Sequence, residues 1–104
     1  MLKKEEFLQL RTSYIEIGKL LQKYGYGECG GILQMLMGQV NCIDSDEDDN
    51  EKIQYLVDSY KSIFQSYFFT DFVICVEPRE VRRQLNEKLD GEVEKVWQIL
   101  KDYL

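Results

Sequence analysis

A dense run of carboxylates is the feature of this chain best suited to binding chemistry. Six of the eight residues from Asp44 to Glu51 are acidic. From Glu28 to Tyr60 the chain carries eight acids and one base, Lys52, whereas the remainder carries eleven acids and twelve bases. The net charge of -6 is therefore local. Such a one-sided field attracts basic proteins and repels phosphate backbones, so it predicts a basic protein partner and no nucleic-acid binding.

The predicted partner-binding surface combines this run with two residues that follow it. An aromatic ring rimmed by charged groups is typical of a tight protein interface. Most of the aromatic cluster should be core, but one or two of its rings could stay exposed beside the run as anchors, and Tyr26 and Tyr55, which flank or face the run in sequence, are further candidates. The aromatic cluster comprises Tyr60, Phe64, Tyr67, Phe68, Phe69 and Phe72. The predicted contact residues are Asp44, Asp46, Glu47, Asp48, Asp49, Glu51, Tyr55 and Asp58.

The acidic run does not fit a calcium-binding loop. A loop that starts at Asp44 has Asp49 where an EF-hand needs glycine, and Tyr55 where it needs a bidentate glutamate. A loop that starts at Asp46 fails at the same two positions. We therefore predict no specific metal site and only weak attraction of divalent cations.

Catalytic chemistry finds little support in the sequence. Histidine is absent, so acid-base catalysis would need carboxylates with pKa values separated by burial. Three acids lie near apolar stretches: Glu16, Asp58 and Asp71. We expect Glu16 to face solvent and Asp71 to form a cap or an ion pair. The prediction is that the protein is not an enzyme.

Cysteine content and hydropathy favour a cytoplasmic protein without cofactors. Cys29, Cys42 and Cys75 form no C-x-x-C pair, and we expect them to be buried thiols rather than disulfide partners. The spacing G-x-G-x-x-G at Gly25–Gly30 follows a helix instead of a strand, so it is no dinucleotide fingerprint. The charged N-terminus and the lack of a span of about 20 apolar residues predict no signal peptide and no membrane association.

Helical periodicity predicts the elements that hold these residues. A stripe at spacings of three and four predicts a first helix that is stopped by Tyr24-Gly25-Tyr26-Gly27, since glycine tolerates the left-handed geometry of a helix end. We expect a loop near 25–30, with Gly30-Gly31 as a second break. A short helix over Ile32–Val40 follows, and the acidic run itself is predicted to be unstructured. The first stripe comprises Phe7, Leu10, Tyr14, Ile17, Leu21 and Tyr24.

A third helix is predicted after the acidic run, with a cap at Asp48, Asp49 or Asn50. Its buried stripe is Ile53, Leu56, Val57, Tyr60 and Phe64.

The C-terminal part is predicted to contain one buried connection and one long helix. Residues 64–75 are almost continuously apolar and rich in aromatic rings, which favours an extended or turn-like buried connection. Pro78 then opens a helix, and its apolar stripe keeps one phase across Asp90-Gly91. The chain is thus predicted to form a single all-α domain over residues 1–104, a bundle of four to five helices with one buried extended segment.

Part of the C-terminal half resembles a known family. Phe64 and the run Asp71-Phe72-Val73-Ile74, followed by Asn86 and Leu89, resemble a pattern in short helical bacterial proteins encoded beside toxin genes. Residues 65–69 stand where that family has a glycine-rich centre. The resemblance implies an immunity protein of a contact-dependent growth inhibition or related polymorphic toxin system. It carries no catalytic signature and no transferable functional residues.

Besides a small hydrolase that would need a cleft with two converging acids among Glu16, Asp58 and Asp71, two hypotheses about function follow. The first is an immunity protein that covers the active site of a basic toxin, expected to be a nuclease because nucleases are basic where they hold nucleic acid. Its test is salt: association with the toxin should slow as ionic strength rises. The second is a regulatory or scaffolding module, in which the acidic run only aids solubility and the aromatic cluster supports a homodimer.

Overall fold

The computed structural model describes residues 2–25 and 29–104, and in these ranges it is all-α with no strand. The predicted loop near 25–30, including Tyr26, lies largely outside the described residues. A short 3-10 turn, Lys101–Tyr103, ends the chain. The five helices are α1 (Lys4–Tyr24), α2 (Gly30–Asp44), α3 (Asp49–Phe64), α4 (Tyr67–Asp71) and α5 (Arg79–Leu100).

Helix α1 is the centre of the bundle and packs against both α2 and α5. Its predicted stripe is confirmed: Leu10, Tyr14, Ile17 and Leu21 are at most 1% exposed. The last α-helical hydrogen bond of α1 is donated by Gly25 N–H to Leu21 O at 2.7 Å. A Cβ at Gly25 would come within 2.4 Å of that oxygen. Gly25 does not use left-handed geometry, since its φ is -88°, and glycine is required there by close contact instead; Gly27 lies outside the described residues.

Helix α2 is longer than its apolar pattern predicted. Gly30 and Gly31 are its first two residues, so the predicted second break is wrong. Glycine costs less at a helix start than in the interior, because the first N–H groups have no partner within the helix. At the other end the helix continues past Asn41 to Asp44.

Half of the acidic run is helical, which corrects the prediction that it is unstructured. Asp44 ends α2 and Asp49 begins α3, so only residues 45–48 lie outside a helix. Ser45 Oγ donates to Cys42 O at 2.7 Å. Asp48 caps α3 by accepting a hydrogen bond from Glu51 N–H at 2.9 Å. These short-range bonds close a tight connection, and the predicted cap at Asp48 is confirmed.

The aromatic run also contains a helix. Ser66 accepts a hydrogen bond from Phe69 N–H at 3.2 Å and caps α4, which interrupts the predicted connection. The extended part is limited to residues 72–76. Within it Ile74 is fully buried while Val73 is 56% exposed, because neighbouring side chains of an extended segment point to opposite sides.

The long terminal helix is confirmed, and one of its side chains holds the extended segment in place. Asn86 Oδ1 accepts from Ile74 N–H at 2.8 Å, and Asn86 Nδ2 donates to Ile74 O at 3.0 Å. The same nitrogen donates to Arg82 O at 2.9 Å. The side-chain amide of Asn86 thus satisfies both the backbone N–H and the backbone C=O of buried Ile74.

The three cysteines differ in burial. Cys29 is buried, Cys42 is half-buried and Cys75 is exposed, and both Cys42 and Cys75 are free thiols. The prediction of burial is therefore wrong for Cys75, which lies on the outward side of the extended segment.

We expect Asn86→Ala to lower the free energy of unfolding by about 1 to 3 kcal/mol, because it leaves both backbone groups of buried Ile74 without their partner. Urea denaturation followed by circular dichroism measures this. The control is Gln98→Ala on the same helix. Gln98 bonds only to side chains that are exposed, Glu94 and Lys101, so a change within about 0.5 kcal/mol is expected. Equal losses in the two variants would contradict the proposed clamp.

Candidate protein-binding surface

The predicted contact residues lie where the end of α2 meets the start of α3. We call Asp44, Asp46, Glu47, Asp48, Asp49, Glu51, Tyr55 and Asp58 the acidic surface. All eight residues are exposed. The negative charge of this surface is stabilised in part by the dipole of α3, because carboxylates in the first turn of that helix lie at its partially positive end.

Asp44 sits in the less favourable position, at the partially negative end of α2, and is stabilised from outside the surface. Arg11 Nε donates to Asp44 Oδ1 at 2.8 Å. This hydrogen bond, with a smaller contribution from the charges of Arg11 and Lys52, holds the pKa of Asp44 below its ordinary value. Lys52 Nζ also donates to Ile43 O at 2.8 Å. Two cations therefore offset the charge at this helix end.

Glu51 shows the opposite effect, because other carboxylates crowd around it. A hydrogen bond that the protonated carboxyl of Glu51 donates to Glu47, together with the negative charges of Glu47 and Asp48, raises the pKa of Glu51 above its ordinary value. A raised pKa means that ionisation of Glu51 is disfavoured in the fold, so its contribution to stability declines as pH rises through that pKa. For Asp44, whose pKa is lowered, the contribution is lost as pH falls.

Glu47, Glu51 and Tyr55 line one groove between α2 and α3. The groove has a volume of about 500 Å³, and Gly38, Asn41, Cys42 and Ser45 form its other walls. Tyr55 is 45% exposed. A Cβ at Gly38 would lie 2.9 Å from the Tyr55 hydroxyl oxygen, so the glycine allows the ring to lie close against α2.

The remaining acids are placed differently around α3. Asp58 follows Tyr55 by three residues and so shares its side of the helix, and its Oδ1 accepts from Gln54 Nε2 at 2.7 Å. Asp49 precedes Glu51 by two residues and points away from it. Asp46 lies in the connection and is exposed. The structure thus brings Glu47, Glu51 and Tyr55 together and spreads the others around them.

Most of the aromatic cluster is core rather than surface. Phe64 lies 5.0 Å from both Tyr60 and Phe69 between ring centroids. Tyr67 is 93% exposed, but it follows the far end of α3, a helix of 16 residues and hence about 24 Å long. The exposed ring at the acidic surface is therefore Tyr55.

The three acids weighed for catalysis lie on different helices. Glu16 is half-buried, which differs from the predicted solvent-facing position, because it pairs with Lys88 of α5 at 3.4 Å and Lys19 at 3.9 Å. Asp71 is exposed at the end of α4, so it reaches water, and neither the predicted cap nor an ion pair is found for it in the described part of the chain.

Sequence reasoning missed two polar residues, one beside the acidic surface and one on α5. Arg11 is 33 positions from Asp44, and no local pattern connects them. Glu92 is buried, and its Oε1 accepts from Lys95 at 3.0 Å. Its Oε2 has no hydrogen-bond partner among the described residues. The only sequence signal for the burial of Glu92 was its position close to the apolar residues Val93 and Val96.

Two searches for special features concern the described residues alone. Within residues 2–25 and 29–104, no group of three or more histidine, cysteine or acidic side chains is arranged to hold a metal ion. None of the described helices is both long and apolar enough to span a membrane.

Comparison with known proteins finds no match for this chain among protein-family models, curated proteins or solved structures.

We expect Glu47→Gln to lower the pKa of Glu51 toward its ordinary value, because it removes the nearest negative charge. A carboxyl-carbon NMR titration of the folded protein measures this. Asp46→Asn is the matched control: it removes one charge from the same connection, but Asp46 is not among the causes of the shift. An equal shift in both variants would show that net charge, not proximity, sets this pKa.

Proposed function

We propose that this protein is an immunity protein that binds a basic toxin domain and neutralises it by covering the active site with the acidic surface. The single observation that carries the proposal is the exposure of six carboxylates at one helix junction in a chain that is otherwise nearly neutral. The family resemblance of the C-terminal half supports the same function.

The proposed target is a nuclease, for a physical reason. An enzyme that cleaves nucleic acid holds a polyanion with Lys and Arg side chains. A rigid set of carboxylates offers those cations an alternative polyanion. Because α2 and α3 hold the acids on both sides of a four-residue connection, little backbone entropy is lost when the surface binds.

The charge also has a kinetic role in the proposed mechanism. An immunity protein must capture its toxin before the toxin meets its substrate. Complementary charge raises association rates toward about 10^8 M⁻¹s⁻¹ or more at low salt. The crowding of Glu47 and Glu51 supports this role, since charge that raises the pKa of its neighbour does not serve stability.

The first test neutralises part of the surface without removing the α3 cap. Asp46, Asp48 and Asp49 are changed together to Asn, which is itself a good N-cap residue. We expect at least about a tenfold lower association rate with the toxin domain encoded beside this gene, and weaker salt dependence. Stopped-flow fluorescence between about 0.01 and 0.15 M ionic strength, where the Debye length falls from about 30 to 8 Å, measures both.

The control removes the same number of charges elsewhere. Asp71, Glu77 and Asp90 are exposed and lie outside the acidic surface; their amide variants should bind almost as fast as the wild type. Equal effects of the two triple variants would reduce the role of the acidic surface to net charge. The proposal is refuted if no neighbouring gene encodes a toxin, or if the neutralised protein still protects cells and binds at the wild-type rate.

A second test should raise the association rate instead of lowering it. Arg11→Gln removes the cation that pairs with Asp44, so we expect faster association with the same toxin domain by a few fold. The free energy of unfolding should change by about 1 kcal/mol or less, because the pair is exposed. Arg83→Gln on α5 is the control, since Arg83 pairs only with Glu80 and Glu87 among the described residues. Slower association of Arg11→Gln would show that Arg11 contacts the partner directly.

A further inference from the structure

An apolar groove runs between α1 and α2. Its volume is about 340 Å³, and we call it the α1–α2 groove. Gln22 and Leu33 lie at one end, and Ile15 and Asn41 at the other. The intervening walls are formed by Gly18, Lys19, Met37 and Val40, over the buried side chains of Tyr14 and Leu36.

The outer side of α2 lacks the charges that normally cover a solvent-facing helix. Asp44 is the only charged residue among its 15 residues. Met37 is 65% exposed. Depletion of charge together with exposed Met is typical of the core of a protein interface. By contrast, the exposed positions of α5 carry ion pairs such as Arg83 with Glu87.

The α1–α2 groove is continuous with the acidic surface. Asn41 lines both this groove and the groove that contains Glu47 and Glu51. One turn beyond Ile15 and Asn41, the Arg11–Asp44 ion pair closes the same helix pair. An occupant that leaves the apolar groove at Asn41 therefore meets the carboxylates directly.

We propose that the α1–α2 groove seats an amphipathic helix of the basic partner, with apolar residues in the groove and Lys or Arg residues against the acidic surface. The part of α2 that lines the groove, from Leu33 to Asn41, is about 12 Å long. This length matches the spacing of apolar anchor residues at i, i+4 and i+7 on a docked helix. The inference rests on the proposed function and names the element by which the toxin is held.

Charge complementarity favours this occupant over a second copy of the chain. A second copy would have to present a cationic segment to the acidic surface. The densest such segment in this chain, 79–83, is interleaved with Glu80, and its Arg83 is paired to Glu80 and Glu87. A partner with unpaired Lys and Arg residues meets the requirement without breaking existing pairs.

Gly18 provides a sharp test of the groove. A Cβ at Gly18 meets nothing within 4 Å, and the same holds for Gly91 on α5. Leucine is a better helix former than glycine. Gly18→Leu therefore fills the groove while keeping α1 intact, and Gly91→Leu is the matched control on an exposed position outside it. Circular dichroism verifies the fold of both variants, and Met37→Gln at the groove rim serves as a second variant.

The probe is a displayed library of helical peptides of about 15 residues, selected against the full chain. We expect enriched peptides to carry apolar residues at i, i+4 and i+7 and Lys or Arg at one end. Their affinity should fall at least about tenfold for Gly18→Leu and stay unchanged for Gly91→Leu. Met37→Gln should weaken them as well.

Three outcomes overturn the inference: no enrichment, equal binding to Gly18→Leu and the wild type, or a wild-type dimer in light scattering that Gly18→Leu converts to a monomer. The last result assigns the groove to a second copy.

Peptides that depend on Asp46, Asp48 and Asp49 but tolerate Gly18→Leu refute the groove and leave the proposed function standing. Peptides that need the groove but not those carboxylates refute the basic partner and with it the proposed function.

Discussion

Burial of one face of α1 is the constraint on which the rest of the structure depends. Leu10, Tyr14, Ile17 and Leu21 are almost completely removed from solvent, and burial of such side chains contributes about 1.5 to 3 kcal/mol each. Because α2 and α5 both pack on α1, its register sets theirs. The antiparallel course of α1 and α2 places the start of α2 beside the end of α1, where Cys29 Sγ donates to Leu21 O at 3.5 Å. This course also brings Arg11 opposite Asp44.

The same arrangement explains how a short connection tolerates so much negative charge. Acids at the start of α3 interact favourably with its dipole, and Asp48 uses its charge to cap the helix. Asp44 at the end of α2 would be unfavourable alone, but Arg11 and Lys52 lie beside it. The exception is the pair Glu47 and Glu51, where repulsion raises a pKa. Here the structure keeps charge that it does not need for folding, and this supports a role in binding.

The sequence predicts the elements whose signals are local. The stripes of α1, α3 and α5 and the cap at Asp48 all depend on residues within one or two turns of each other. Two kinds of feature escaped this reasoning. Helix α4 depends on a single Ser66 cap within an apolar run, where periodicity is uninformative. The clamp of Ile74 by Asn86 and the pairing of Asp44 with Arg11 join distant residues, and no local pattern contains them.

The candidate site divides in the same way. The acidic surface is contiguous in sequence, so its existence and sign were predictable, although its helical order was not. The α1–α2 groove depends on the absence of a side chain at Gly18 and on the lateral position of two helices. Neither glycine at 18 nor methionine at 37 signals a groove until α1 and α2 are placed side by side.

Fast association and slow dissociation require different chemistry, and the acidic surface and the α1–α2 groove each supply one of the two. Exposed charge pairs are worth about 0 to 1 kcal/mol each and are screened by salt, so carboxylates alone accelerate encounter more than they slow dissociation. A long-lived complex needs buried apolar contacts. Tyr55 supplies one ring within the acidic surface. The α1–α2 groove reaches that surface at Asn41 and offers the larger apolar area. In the proposed complex, the acidic surface would thus attract the basic partner and the adjoining groove would retain it.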